Sequence, residues 1–249
     1  MLRRHVLFAA FAVLAAAGMA RAGLWQMRRL AERRAFNAVL RTRLDSVAVT
    51  PDRLPADTAR LRYRRVRVDG IYDAAHEVVL VGRTRNGSPG VNLVTPLRRP
   101  GTDTAILVNR GWVYSGNAKD VESPTRWRAE LATNDSGFAD VFPMGQPGPL
   151  DVPGAPAAIR RLDIGALGQR FPYPLAPYYI VLFGDTTARL DSTPARLGAP
   201  RLTEGSHRSY VVQWFSFAGI ALLGTVLYIR NDLRRMRAHT TIGAVRDGP

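Results

Sequence analysis

Four histidines and no cysteine bound the chemistry that this 249-residue chain offers. Without thiols there is no disulfide, no thiol nucleophile, no iron–sulfur cluster and no cysteine-ligated zinc. His5, His76, His207 and His239 lie too far apart for any two to share a helical face, so a histidine-rich metal site is not expected. The sequence holds no Walker-type glycine–lysine loop, no G-x-S-x-G elbow, no H-E-x-x-H and no dinucleotide glycine pattern. Spacing therefore assigns no catalytic residue, and a turnover enzyme is not expected. His5 and His239 sit in basic tails, and His76 with Glu77 opens an apolar run as a solvated edge. His207 differs. It stands three residues before Tyr210, where a long uncharged run begins, so its imidazole meets water on one side and hydrocarbon on the other.

Two readings of His207 stay open at this point. A neutral imidazole there suits an axial position on haem iron, with the flat macrocycle resting on Trp214 or Phe215 and nearby arginines pairing with its propionates. Alternatively, His207 caps or orients the helix at the interface. The second cluster of notable residues runs from Leu107 to Val113. A strand is expected to end on Asn109 and Arg110, Gly111 permits an unusual backbone angle, and Trp112 brings a large ring with one donor. Arg110 either grips the carboxylate of a ligand or partner through its fork or pairs with an internal acid such as Glu77 or Asp69.

The elements that must position these residues follow from charge and hydropathy. The net charge of +15 is uneven: residues 1–44 carry nine arginines against Glu32, and residues 230–249 carry five against Asp232 and Asp247. Basic charge thus sits beside apolar segments rather than across a folded surface, which disfavours a nucleic-acid partner and points to membrane lipid. Tyr210 to Ile229 is free of formal charge for twenty residues, enough at ~1.5 Å per residue to cross ~30 Å of hydrocarbon. Tyr210, Trp214 and Tyr228 mark its ends, and Arg230, Arg234, Arg235 and Arg237 follow. Val6 to Ala20 is also apolar, after which Arg21 interrupts. A cleavable secretory signal and an uncleaved anchor through Met27 compete here. The anchor is preferred, because Ala12, Ala16 and Ala20 form a small-residue stripe for a second helix. Both termini are expected in the cytoplasm of a two-pass inner (cell) membrane protein, with the central domain on the outer, periplasmic face.

The sequence divides accordingly into an anchor (1–27), a basic helical stalk (28–50), a β-rich domain (51–205), a second transmembrane helix (206–230) and a basic tail (231–249). Within the domain, short apolar runs predict strands at Tyr63–Val68, Val78–Val81, Val91–Leu97, Ala105–Asn109, Phe138–Phe142 and Tyr178–Phe183. Asn86-Gly87 and Pro100-Gly101 signal turns. Residues 143–158, dense in proline and glycine, predict a loop, and Asp163 caps a short helix. The expected fold is two transmembrane α-helices flanking a predominantly antiparallel β-barrel or sandwich.

As a whole the pattern resembles the Surfeit locus protein 1 family, membrane-bound assembly factors of haem–copper cytochrome oxidases. The resemblance rests on Trp25-Gln26 followed by Arg28-Arg29, on Val66 to Tyr72, on Thr95-Pro96, on Ile106 to Val113 with Asn109-Arg110-Gly111-Trp112, and on His207, Tyr210, Gln213, Trp214 and Phe215. It covers most of residues 20–230. Gly205-Ser206 stands where the family has an asparagine–acid pair, with Glu204 just before. The resemblance implies a non-enzymatic factor that assists insertion or stabilisation of haem a in the catalytic subunit of cytochrome c oxidase. It implies His207 as the haem-iron ligand, with that subunit and haem a synthase as partners. The alternative is a membrane-anchored scaffold that binds an oxidase subunit without contacting haem.

Overall fold

The computed structural model describes residues 2–121, 127, 132–141, 148–184 and 194–246, with side chains omitted at a few helix and strand positions. The chain forms two compact units: residues 1–39 with 202–249, and residues 40–201.

The first unit is a pair of long helices, α1 (Leu2–Leu44) and the carboxy-terminal His207–Arg246. Both are long and apolar enough to cross a membrane. Helix α1 runs through Arg21 without a break and continues into the predicted stalk. The face that it buries recurs at intervals of four, seven and fourteen residues, whole numbers of helical turns to within a fraction of a residue, through His5, Ala12, Ala16, Gly23 and Asn37. Ala20, expected on this stripe, is only half-buried; Gly23 takes the close-contact role instead, its Cα facing the ring of Phe215. Opposite lie Ala218 and Thr225, whose hydroxyl donates to the Ala221 carbonyl at 2.7 Å and so hides its polarity within the helix.

Polar side chains join the pair at both ends of the apolar stretch. His5 Nε2 donates to Asp232 at 2.8 Å, and Arg4 donates to the Tyr228 hydroxyl at 2.5 Å. At the other end His207 meets Gln26. His5 and Gln26 are 21 residues apart on one helix, about 31 Å along its axis, which matches the hydrocarbon thickness of a bilayer. His5, read from the sequence as a residue of a basic tail, is 7% exposed and spent on a carboxylate.

The second unit is a β-sheet of β1 (Arg65–Tyr72), β2 (Val78–Arg85), β3 (Ser88–Arg98), β4 (Ala105–Tyr114), β5 (Ala132–Val141), β6 (Asp151–Val152), β7 (Ala155–Ile159) and β8 (Leu175–Leu182), with short helices α2 (Thr58–Leu61) and α3 (Ile164–Leu167). The order is β1-β5-β8-β4-β3-β2-β7-β6, and Ile71 and Tyr72 pair with Arg98 and Leu97, so β1, β5, β8, β4 and β3 close into a barrel. Pairing is antiparallel except β4–β8 and β2–β7. The interior is filled by β-branched and leucine side chains such as Val66, Val68, Leu97, Val108, Ile180 and Leu182. A second cluster with Leu80, Leu107, Ile159, Leu167 and Phe171 covers the outer face of β2 to β4. Asp163 caps α3 by accepting from Ala166 N at 3.3 Å, as its position predicted. Asn86 and Gly87, both at positive φ, make the tight β2–β3 turn.

The structure departs from the sequence reading in three places. The first strand starts at Arg65 rather than Tyr63, because Tyr63 has φ 64°, outside the extended region. The loop expected over 143–158 contains β6 and β7: Ala158 and Ile159 pair with Val79 and Leu80, and burying these side chains outweighs the local turn signals. Its residues 143–147 lie outside the described residues, as does Phe142. The fourth strand does not end at Arg110; it runs on to Tyr114 across a β-bulge.

Candidate functional site

Helix α4 (His207–Arg246) starts where Gly205, at φ 66°, turns the chain, and Tyr210 N closes the first turn on the Ser206 carbonyl. His207 is thus the first helical residue, at the boundary end of the apolar run. Its Nδ1 lies 2.8 Å from Gln26 Oε1. An amide oxygen only accepts, so Nδ1 is the donor in this contact, and Nε2 has no partner among the described residues. This is the second-sphere arrangement that metal-ligating imidazoles use: a hydrogen bond at one nitrogen fixes tautomer and ring orientation for ligation at the other.

Around this pair the helix ends are pinned by arginine and asparagine. Arg33 Nε and Asn37 Nδ2 both donate to the Thr203 carbonyl, at 3.0 and 3.1 Å. Arg34 grips Glu204 with both prongs of its fork, at 2.7 and 3.2 Å, and this hydrogen-bonded fork holds the Glu204 carboxyl below the usual glutamate range. Glu204 thus serves as an anchor for the turn that presents His207.

Trp214 and Phe215 lie seven and eight residues beyond His207, so Trp214 shares its helix face two turns further into the apolar run. Trp214 is half-buried and meets Phe217 edge-on at 6.3 Å. Phe215 lays its ring against Gly23 yet remains 39% exposed. The residues fit a haem by donor chemistry: an oriented imidazole whose Nε2 has no partner among the described residues, aromatic surface on the apolar side, and the exposed Arg208 next in sequence.

The signature cluster in the barrel has a different fate. Gly111 pairs with Leu93 and Asn109 with Val94, which leaves Arg110 as the extra residue of the bulge. Its side chain turns inward and is 4% exposed, donating to Glu77 at 3.2 Å and to the Trp127 carbonyl at 2.6 Å, with its guanidinium over the Tyr72 ring at 5.0 Å. Thr95 donates to the same Glu77 oxygen at 2.6 Å. Of the two acids that the sequence offered for Arg110, Glu77 is the partner. Asn109 Oδ1 accepts from Gly111 N at 3.1 Å, fixing the bulge locally. Gly111 has φ 133°, and a Cβ there would meet the Ala195 carbonyl oxygen at 2.5 Å. That close approach lets Trp112 and Ala195 exchange both main-chain hydrogen bonds, at 2.8 and 2.7 Å. Trp112 donates its ring N–H to the Arg83 carbonyl at 3.4 Å. The cluster therefore locks the barrel to the segment around Ala195.

His76 occupies a helical turn before β2 rather than the strand itself; it bonds Asp73 at 2.8 Å and packs beside the Phe171 and Tyr173 rings, which also meet each other. His239 belongs to α4, with its side chain outside the described residues. Sequence reading missed the joining of Gln26 to His207. The signal available was the Trp25-Gln26 pair, which carries a polar amide into an apolar helix.

Two apolar helices joined at both ends, with a closed β-barrel inserted between them in the sequence, define a two-pass membrane protein with a folded β domain. The sequence model of the SURF1 family matches residues 13–219, and the chain belongs to that family. It is 27% identical to a SURF1-like protein of Rickettsia felis over 218 residues, covering 84% of this chain and 91% of that protein. Over 93 residues it is 30% identical to the cytochrome oxidase assembly protein SHY1 of Saccharomyces cerevisiae, covering 36% and 24% of the two chains. The Surfeit locus protein 1 of Takifugu rubripes is 29% identical over 92 residues, or 31% and 37%.

Proposed function

We propose that this protein is an assembly factor for haem–copper cytochrome c oxidase that holds haem a as cargo and assists its insertion or stabilisation in the catalytic subunit, with haem a synthase as a second partner. Membership of the SURF1 family and the printed role of the yeast relative support the oxidase part. The observation that carries the haem part is the His207–Gln26 pair, in which Nδ1 donates to the Gln26 oxygen and Nε2 has no partner among the described residues. Haem iron, when bound, supplies a coordination position for an imidazole. The chain's residues do the rest: Gln26 orients the ring, the Arg34–Glu204 pair pins the turn before His207, and Trp214 and Phe215 offer apolar aromatic faces.

Both termini belong on the cytoplasmic side of the inner membrane and the barrel on the outer face. Arg3, Arg4, Arg230, Arg234 and Arg235 load the terminal ends. Arg28, Arg29, Arg33, Arg34, Arg41 and Arg43 load the other flank and compete with this orientation; of these, Arg29 pairs with Glu32 and Arg34 with Glu204, and Arg33 donates to the Thr203 carbonyl.

The test is the visible spectrum of the protein purified in detergent from cells that make haem a, beside its His207→Ala variant. A haem band lost in the variant supports the reading. No band in either protein, or the same band in both, overturns it; co-purification of the variant with the oxidase would then assign the scaffold role.

A further inference from the structure

The barrel carries a cleft of about 580 Å³ on the outer face of the sheet, distinct from His207 and from any role of it. Five neighbouring strands, β2, β3, β4, β5 and β8, supply its floor, and the residues after β7 and around Gly198 form its walls. Leu80 and Arg83 both line it although they are three residues apart, a spacing that puts side chains on opposite faces of a regular strand. The register slips between them, with Gly82 at φ 70°, and this bulge turns Arg83 onto the same face as Leu80.

The floor is part apolar, through Leu80, Phe138 and Val181, and part amide, through Asn92 and Asn109. Asn92 is 6% exposed and its Oδ1 has no hydrogen-bond partner among the described residues. A buried acceptor in that state requires a donor from a ligand or a bridging water. The rim is cationic. Arg83 is exposed and forms no ion pair with the described residues, and Arg160 spends its Nε on the Asp151 carbonyl at 3.4 Å; Arg161 is already committed, its Nε 3.6 Å from Asp163 and its other nitrogen donating to the Gly148 carbonyl. The one acid lining the cleft, Asp140, is held by Arg62 at 3.0 Å and by the Tyr179 hydroxyl at 3.1 Å. Burial first, and Asp140 second, push the Tyr179 hydroxyl above its ordinary range, so it remains a donor. What the cleft leaves unspent is positive charge at the rim and an amide acceptor on an apolar floor.

We propose that this cleft binds an amphipathic organic anion, its carboxylate or phosphate held by Arg83 and Arg160 and its apolar body lying over Leu80, Phe138 and Val181, with a donor group or a bridging water at Asn92. The volume is that of a small-molecule site and exceeds what an inorganic oxyanion fills. Arginine forks suit both kinds of oxyanion, so the head group is set by experiment.

Calorimetric titration of the full-length protein in a neutral detergent tests this with four probes: benzoate, phenyl phosphate, benzyl alcohol and inorganic phosphate. One or both aromatic acids should saturate a single site per chain, at least tenfold more tightly than benzyl alcohol or inorganic phosphate. The preferred acid identifies the head group. Arg83→Gln with Arg160→Gln should weaken binding at least tenfold, and Asn92→Asp should weaken it severalfold. Arg53→Gln with Arg67→Gln, two exposed arginines outside the cleft, and His207→Ala should leave it unchanged. Both cleft arginines are exposed, and an unchanged circular dichroism spectrum confirms that the double variant is folded. Absence of saturation by either acid, equal binding of benzyl alcohol, or equal weakening by the control arginines would overturn the proposal.

Discussion

The two ends of the helix pair each hold a histidine, and they use it in opposite ways. His5 is buried and its Nε2 is committed to Asp232, whereas His207 is half-exposed, commits Nδ1 to a neutral amide and leaves Nε2 with no partner among the described residues. The partner's chemistry makes the difference. A carboxylate spends the imidazole nitrogen on a structural contact between helices, while an amide oxygen at the other nitrogen orients the ring without adding charge. A histidine at a membrane boundary is thus ligand-ready or structural according to which nitrogen is spent and on what. Arg110 in the barrel belongs with His5: every contact described for it is internal.

The largest expected effect follows directly. His207→Ala removes the haem band, while His5→Ala, read in the same visible spectrum, leaves it in place; equal loss in both would show that helix pairing, not ligation, governs the band. Next is Arg110→Ala, which removes the guanidinium from the buried Glu77 and should destabilise the barrel by about 3–5 kcal/mol in thermal unfolding of the full chain. A double change of Arg110 and Glu77 to Leu should recover much of that loss. If Arg110→Ala unfolds like the parent, the grouping of Arg110 with His5 is wrong.

Gln26→Leu probes the orienting contact itself. It keeps His207 and removes only the acceptor at Nδ1, so haem affinity should fall about 10–100-fold while the band persists at high haem concentration. Gln26→Glu replaces the amide with a carboxylate of similar shape and should shift the haem band rather than abolish it. An affinity unchanged in Gln26→Leu would show that the hydrogen bond orients nothing.

The helix pair was more legible in the sequence than the barrel, for physical reasons. Twenty uncharged residues from Tyr210 have one stable fate, because an apolar run of bilayer length buries itself regardless of what surrounds it. His207 at its edge could be located for the same reason. What the sequence did not disclose is pairing across distance. Gln26 and His207 lie 181 positions apart, and nothing local marks either as the other's partner. In the barrel, the Asn86-Gly87 turn was legible because both residues favour positive φ, and the strand cores were legible from their apolar alternation. The bulge at Arg110 was not, since a strand that gains one residue looks locally like a strand that stops. β6 and β7 were hidden because proline and glycine dominate their neighbourhood, while tertiary pairing with β2 decides their conformation.

The smallest expected effect concerns what holds the His207 end in place. Asp232 binds a histidine, whereas Glu204 binds a permanently charged arginine, so the two ends should differ in their response to acid. The Glu204 carboxyl is held below its ordinary value of 4.5 by the Arg34 fork, so the unfolded state takes up its proton first as pH falls. The contribution of this pair to stability is therefore fully present above about pH 4.5 and is lost as pH falls through the lower folded-state value. Both groups are solvent-exposed, so the global change is small and the sensitive readout is local. Hydrogen exchange of the amides from Thr203 to Tyr210 should quicken severalfold between pH 6 and pH 3, after correction for intrinsic rates. Arg34→Gln should already exchange quickly at pH 6 and show little further change. If the parent and Arg34→Gln respond alike, the ion pair does not hold the turn, and the orientation of His207 rests on Gln26, Arg33 and Asn37 alone.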